Sequence, residues 1–89
     1  MIVQELPIVN RLGLHARAAA KFVNLAARFE SDVQVRRGGQ QVNGKSIMGV
    51  MMLAAAKGMS VTLIVSGTDE EAAARHLEHL VAERFGEEE

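Results

Sequence analysis

The sequence SVTLIVS at residues 60–66 is the clearest β-strand of this 89-residue chain. Val61, Leu63 and Val65 alternate onto one face, as expected for a strand that rests on a core. Ile64 lies on the opposite face, so this segment is predicted to be a central strand with partial cover there. We therefore expect the rest of the fold to be arranged around it.

Similar patterns on both sides of this strand predict six further elements. Alternating apolar residues predict strands over residues 2–9, 32–37 and 40–43. Apolar residues at helical spacing predict helices over residues 16–28, 47–53 and 70–85. Pro7 lacks a backbone donor, which places the first strand at a sheet edge. The order β-α-β-β-α-β-α predicts an α+β fold with one mostly antiparallel sheet and helices on one face.

Short signals mark where several elements begin and end. Ser46 stands where an N-cap belongs, and Gly58 is expected as the C′ residue of the same helix. Thr68 and Glu71 have the spacing of a capping box before the last helix. Residues 87–89 are all glutamate and are expected to form a solvated, frayed end.

Composition narrows the classes of function. The chain is 48% hydrophobic and 24% charged, which is typical of one soluble globular domain over residues 1–89. A net charge of −1 and only three aromatic residues argue against binding to nucleic acid or membranes. The absence of cysteine and of a signal sequence predicts a cytoplasmic protein.

His15 is the principal candidate for chemistry because it lies at the junction of a loop and a predicted helix. The first amides of a helix have no intrahelical partner and favour an anion. Arg17 follows two residues later and could bind phosphate oxygens. This setting suits a neutral, nucleophilic imidazole and its phosphorylated product, although a histidine here can also be an ordinary polar loop residue.

Ser46 and the residues after it form the second candidate site. The hydroxyl is expected to cap the 47–53 helix, and a phosphate on it would add negative charge without unfolding the chain. The two-turn helix carries more large apolar groups than one buried side can hold. Some of Ile47, Met48, Met51 and Met52 should therefore be exposed and suit adaptable docking.

Two sequence motifs together resemble the HPr family, the histidine-containing phosphocarrier proteins of the bacterial phosphoenolpyruvate-dependent phosphotransferase system. The first is GLHAR at residues 13–17, and the second is VNGKSIMGVM at residues 42–51. The resemblance extends over nearly the whole chain, including its length and order of elements. Many members have proline after the arginine, where this chain has Ala18, and we expect little loss of function from that change.

The resemblance implies an HPr-like open-faced β-sandwich and a stoichiometric carrier that is not an enzyme. Enzyme I would phosphorylate His15 on Nδ1 with help from Arg17, and enzyme IIA proteins or domains would receive the group. Ser46 matches the regulatory serine of HPr kinase/phosphorylase, and its phosphorylation would weaken transfer. A monomer without cofactor is expected. The apolar docking patch of the family corresponds here to Ile47, Met48 and Met51.

The sequence is also compatible with two other functions and with a metal site. The nitrogen-related branch of the phosphotransferase system uses the same histidine chemistry for regulation rather than sugar import. A ligand-binding α/β module with an incidental histidine would form no phosphohistidine. His76 and His79, with Glu83, have spacing that could suit a metal, but no further ligand is evident and solvated helix histidines are favoured.

Overall fold

Four strands and three α-helices make up the fold of this computed structural model, which describes residues 1–89. The strands are β1 (Ile2–Pro7), β2 (Asp32–Arg37), β3 (Gln40–Asn43) and β4 (Ser60–Ser66). The helices are α1 (Ala16–Ala26), α2 (Ile47–Met52) and α3 (Glu70–Ala82), followed by a 3-10 turn over Arg84–Gly86. None of the helices has the length and apolar character needed to cross a membrane.

The four strands form one antiparallel sheet in the order β1-β4-β2-β3. β4 lies between β1 and β2, which confirms the prediction of a central strand at residues 60–66. β1 is an edge strand, as Pro7 indicated, although it ends at Pro7 and does not continue to residue 9. The predicted α+β fold, an open antiparallel sheet with three helices, is confirmed.

The core lies between the sheet and the helices. Alternate residues of each long strand face it, and the burial of each large apolar side chain stabilises the fold by about 1.5–3 kcal/mol. Alanines on α1 and α3 allow these helices to approach closely. The fully buried members include Leu6, Ile8, Ala18, Val33, Val35, Leu53, Leu63, Val65, Ala73, Leu77 and Phe85.

The end of α2 differs from the prediction. The helix ends at Met52, and Ala54 rather than Gly58 takes the left-handed conformation that follows it, with φ +50°. Leu53 is fully buried, and this burial holds the chain in the reversal that Ala54 makes. The prediction of Gly58 as C′ residue is therefore wrong. Its amide instead donates to the Ile8 carbonyl at 3.0 Å and ties the start of β4 to the end of β1.

The start of α3 also differs, because no capping box forms. Asp69 is the N-cap residue, and its side chain makes no bond to its own helix. The carboxylate instead accepts hydrogen bonds from the Glu30 and Ser31 amides, both at 2.9 Å, and from the Ser31 hydroxyl. Hydrogen bonding, chiefly from that hydroxyl, lowers the pKa of Asp69. The predicted capping role of Thr68 and Glu71 is wrong, since Asp69 joins α3 to the α1–β2 connection.

The segment after α3 turns back on the body of the protein. Arg84, Phe85 and Gly86 all have positive φ, at +57°, +55° and +80°. Burial of the Phe85 side chain to 1% exposure stabilises this unusual run. Residues 87–89 are thereby brought beside the loop that precedes α1. The predicted frayed end is wrong for Glu87 and Glu89, which make specific contacts.

Candidate functional site

His15 occupies the N-cap position of α1, at the loop-to-helix junction that the sequence indicated. Its backbone is extended, with φ −72° and ψ 175°, and its carbonyl accepts the Ala19 amide at 2.8 Å. The side chain does not cap the helix, so the ring is free for other contacts. It is 26% exposed, and it is therefore held by the protein but accessible from outside.

The loop before His15 is fixed by close contact with the segment after α2. Gly13 has φ +66°, and a Cβ placed there would lie 2.4 Å from the Ala55 carbonyl oxygen. The Leu14 amide donates to that same oxygen at 2.9 Å. Glycine is thus required here by both conformation and space, which is a stronger role than loosening the loop.

Glu87 is the side chain that contacts the His15 ring. One carboxylate oxygen forms a hydrogen bond with Nε2 of His15, and the other accepts from the Asn10 amide at 3.0 Å. Hydrogen bonding from Asn10 is the largest cause that lowers the pKa of Glu87, and the contact with His15 lowers it further. Asn10 is fully buried and also donates to the Gly13 carbonyl at 2.8 Å.

An open depression of about 640 Å³ borders this site. Arg11, Leu12, His15 and Arg17 line it on one side, and residues 87–89 line it on the other. The segments are joined at the rim by the Arg11 amide, which donates to the Glu89 carbonyl at 2.7 Å, and by an ion pair between their side chains. A small anion could enter this depression beside the imidazole.

Arg17 lies in the first turn of α1, two residues after His15. It is exposed, and its guanidinium makes no hydrogen bond or ion pair within the chain. The structure thus brings both candidate residues of the first motif to one depression. Ala18 is fully buried within the same regular helical turn, so alanine at this position supports a normal start of α1.

Ser46 is the N-cap of α2, as predicted. Its hydroxyl accepts a hydrogen bond from the Gly49 amide at 3.1 Å. This contact satisfies one of the first amides of the helix, and it joins two residues that are only three positions apart. Ser46 is half-buried, and it directly precedes the exposed residues Ile47 and Met48 of α2.

The helix α2 carries the predicted exposed apolar surface. Val50 and Leu53 are buried, and the other large side chains remain exposed. The most exposed is Met48, at 75%. The loop of His15 is bonded to Ala55, three residues after the end of this helix, which ties that loop to the C-terminal side of α2. The exposed apolar surface consists of Ile47, Met48, Met51 and Met52.

The histidines of α3 have separate partners. His76 lies against Phe29, with 5.6 Å between ring centroids, and His79 pairs with Glu83 at 2.6 Å. No group of three or more potential metal-ligating side chains is found in the chain.

Asn10 and Glu87 are the site residues that the sequence did not reveal. From the sequence alone, Asn10 resembles an ordinary loop residue, and Glu87 is one of three consecutive glutamates. The one available signal was Phe85, a large apolar residue four positions after Val81, because its burial keeps the following residues near the core.

Comparison with known proteins identifies relatives over nearly the full chain. The family model described as "PTS HPr component phosphorylation site" matches residues 2–83. The phosphocarrier protein HPr of Cupriavidus necator is 54% identical over 87 residues, covering 98% of both chains. The corresponding protein of Neisseria meningitidis is 52% identical over the same length and coverage.

Solved structures agree with the fold. The crystal structure of an HPr from Thermoanaerobacter tengcongensis matches with a TM-score of 0.96 and 44% identity over 100% of both chains. HPr from Bacillus anthracis matches with a TM-score of 0.86 and 39% identity, covering 90% of this chain and 95% of that one. Crh from Bacillus subtilis, 46% identical with a TM-score of 0.76 over 94% of this chain and 97% of that one, is described as a domain-swapped dimer.

Proposed function

Since this chain belongs to the HPr family of phosphocarrier proteins, we propose that it accepts a phosphoryl group on His15 and passes it to another protein. Enzyme I, charged from phosphoenolpyruvate, is the proposed donor, and enzyme IIA proteins or domains are the proposed recipients. The observation that carries the proposal is the position of His15, a partly exposed imidazole at the start of α1 beside an open depression.

The surroundings of His15 favour a phosphoryl group chemically. The amides that begin α1 lack intrahelical acceptors, and the helix dipole adds positive potential near the ring. Arg17 supplies a guanidinium with no partner in the chain, and its planar fork fits phosphate oxygens. We propose that Arg17 binds the phosphoryl group during transfer.

The exposed surface of α2 is the proposed docking site for the protein partners. Exposed methionines can adapt to different surfaces, which suits a carrier that must meet a donor and several recipients in turn. The loop of His15 is bonded to the segment directly after this helix. A partner that covers Ile47, Met48 and Met51 would therefore approach the phosphoryl acceptor at the same time.

Ser46 is proposed to regulate this docking through phosphorylation by HPr kinase/phosphorylase. A phosphate carries about −1.5 to −2 charges at neutral pH, and here it would stand at the border of an apolar surface. The buried side of α2 would be undisturbed, because Val50 and Leu53 hold it to the core. Transfer through His15 would weaken while the fold remained.

Incubation with enzyme I and phosphoenolpyruvate tests the carrier function directly. The wild-type chain should gain one acid-labile phosphoryl group, whereas His15→Ala should gain none. His79→Ala is the matched control, since His79 lies on α3 and is paired with Glu83. A wild-type chain that stayed unmodified would refute the proposal. Subsequent addition of purified enzyme IIA proteins, from sugar-importing and nitrogen-related branches, identifies the recipient.

Ser46→Asp tests the regulatory part. Asparagine and aspartate are equally good N-caps and nearly the same size, so Ser46→Asn supplies a control that differs only in charge. Ser46→Asp should slow transfer from enzyme I, and Ser46→Asn should not reproduce that loss. Equal transfer rates for the two variants would contradict an effect of charge on docking.

A further inference from the structure

The contact between Glu87 and the His15 ring has a direct bearing on phosphoryl transfer. We infer that Glu87 is a positioning residue: its carboxylate holds the imidazole proton on Nε2 and so presents Nδ1 as the nucleophile. The inference rests on the function proposed above, and it assigns a role to a residue outside both recognised motifs.

The direction of the hydrogen bond follows from the chemistry of its partners. Glu87 also receives the Asn10 amide, and these bonds lower its pKa, so the carboxyl is ionised at neutral pH. An ionised carboxylate can only accept hydrogen bonds. Nε2 of His15 must therefore be the donor, and in the neutral ring the lone pair is left on Nδ1. Nδ1 itself has no hydrogen-bond partner in the chain.

The carboxylate is held firmly enough to orient the ring. Both of its oxygens are engaged, and the side chain is only 19% exposed, less than that of His15. Asn10, one of the partners of this carboxylate, is itself buried, and its side-chain amide also donates to the Gly13 carbonyl. Two residues before Glu87, the Phe85 side chain is buried, and the backbone carbonyl of Phe85 accepts a hydrogen bond from Lys21 Nζ at 2.7 Å.

In the neutral ring, this arrangement places the lone pair on Nδ1, so that form transfers without first losing a proton. The Nδ1 lone pair forms the new bond to phosphorus, the bond between phosphorus and the donor's atom breaks, and that electron pair returns to the donor. The proton on Nε2 stays there throughout. The ring gains positive charge as Nδ1 bonds to phosphorus, and the Glu87 carboxylate is already paired with it, as a carboxylate is in other sites that orient an active imidazole.

The test combines nitrogen NMR of the His15 ring with phosphoryl transfer from enzyme I. The variants are Glu87→Ala, Glu87→Gln and Glu71→Ala. Glu71 is exposed in the first turn of α3, away from the depression, and makes no hydrogen bond or ion pair, so its alanine variant matches the charge change of Glu87→Ala. Glutamine keeps an acceptor for Nε2 but removes the charge. Amide spectra and thermal unfolding establish that each variant is folded.

In wild type and Glu71→Ala, we expect a protonated Nε2 whose hydrogen exchanges slowly, together with an unprotonated Nδ1. Glu87→Ala should lose the slow exchange, and its kcat for transfer should fall about fivefold to tenfold, as for loss of one orienting hydrogen bond, with KM for this chain unchanged. Glu87→Gln should recover part of both signals.

Two results would overturn the inference. One is that Glu87→Ala and Glu71→Ala give the same ring signals and the same kcat. The other is that Glu87→Ala transfers faster than wild type, which would mean that the carboxylate obstructs the ring. Failure of wild type to gain phosphate is a separate outcome, because it refutes the carrier function while the ring signals still report on the contact.

Discussion

The surroundings of His15 and of Ser46 are built in opposite ways. The hydroxyl of Ser46 meets an amide three residues away, and the contact lies within one turn of α2. The ring of His15 contacts Glu87, 72 positions away, and the loop that precedes His15 is itself held against the segment after α2. The comparison teaches that the proposed regulatory site is a local feature, whereas the proposed acceptor site depends on contacts between distant parts of the chain.

Gly13→Ala should have the largest effect on this comparison. The new Cβ would meet the Ala55 carbonyl at 2.4 Å, at a φ that alanine rarely adopts, so the free energy of unfolding should fall by about 3 kcal/mol. Gly38→Ala is the control, because Gly38 also has positive φ but has open space around it. It should lose only about 1–2 kcal/mol in urea unfolding. Equal losses would show that the loop is not held by close contact with Ala55.

Arg17→Ala should lower phosphoryl transfer about tenfold to a hundredfold, since a hydrogen bond to a charged group contributes about 1.5–3 kcal/mol. The fold should be unaffected, because Arg17 makes no contact that stabilises it. Arg28→Ala removes an exposed arginine beyond the other end of α1 and should transfer normally. Unchanged kinetics in Arg17→Ala would mean that the helix amides are enough to bind the group.

Ser46→Ala should lower the free energy of unfolding by about 1 kcal/mol, the usual cost of a lost N-cap. Ser46→Asp should keep that stability, because aspartate also caps a helix. If the site is as local as its contacts indicate, neither variant should shift the ring nitrogen signals of His15. A shift in those signals would break the contrast between the two regions.

Acidification should produce the smallest effect, through the Glu87 carboxylate. Its pKa in the folded chain lies below the ordinary value of 4.5, so its contribution to stability is complete above 4.5 and is lost as the pH falls through the lowered pKa. The difference in unfolding free energy between wild type and Glu87→Gln should shrink across that range. A difference that did not change with pH would show that the carboxylate is not stabilised by its partners.

The sequence predicted those features that depend on neighbouring residues. Alternation in residues 60–66 predicted a central strand, and Ser46 predicted a cap that the structure confirms. Pro7 correctly indicated an edge. These signals succeed because strand pairing, capping and core burial leave a periodic or positional pattern over a few residues.

The features that were missed depend on contacts between distant parts of the chain. The residues around Ala54 do not indicate a left-handed conformation, and a glycine such as Gly58 is the usual C′ residue of a helix. In the folded chain, the burial of Leu53 places the reversal at Ala54 instead. Asp69 serves the Glu30–Ser31 connection rather than its own helix. Glu87 follows the same rule, since its position is set by the burial of Phe85 and not by the glutamates beside it.

The turn that carries Phe85 makes the surroundings of His15 sensitive to the C-terminal segment of the chain. Two residue steps separate Phe85 from Glu87, a reach of about 7 Å, so the carboxylate has little slack. Partial opening of residues 84–86 would draw Phe85 from the core and Glu87 from the imidazole together. The exchange rate of the Nε2 proton of His15 would then report fraying at the end of α3 before the rest of the protein unfolds.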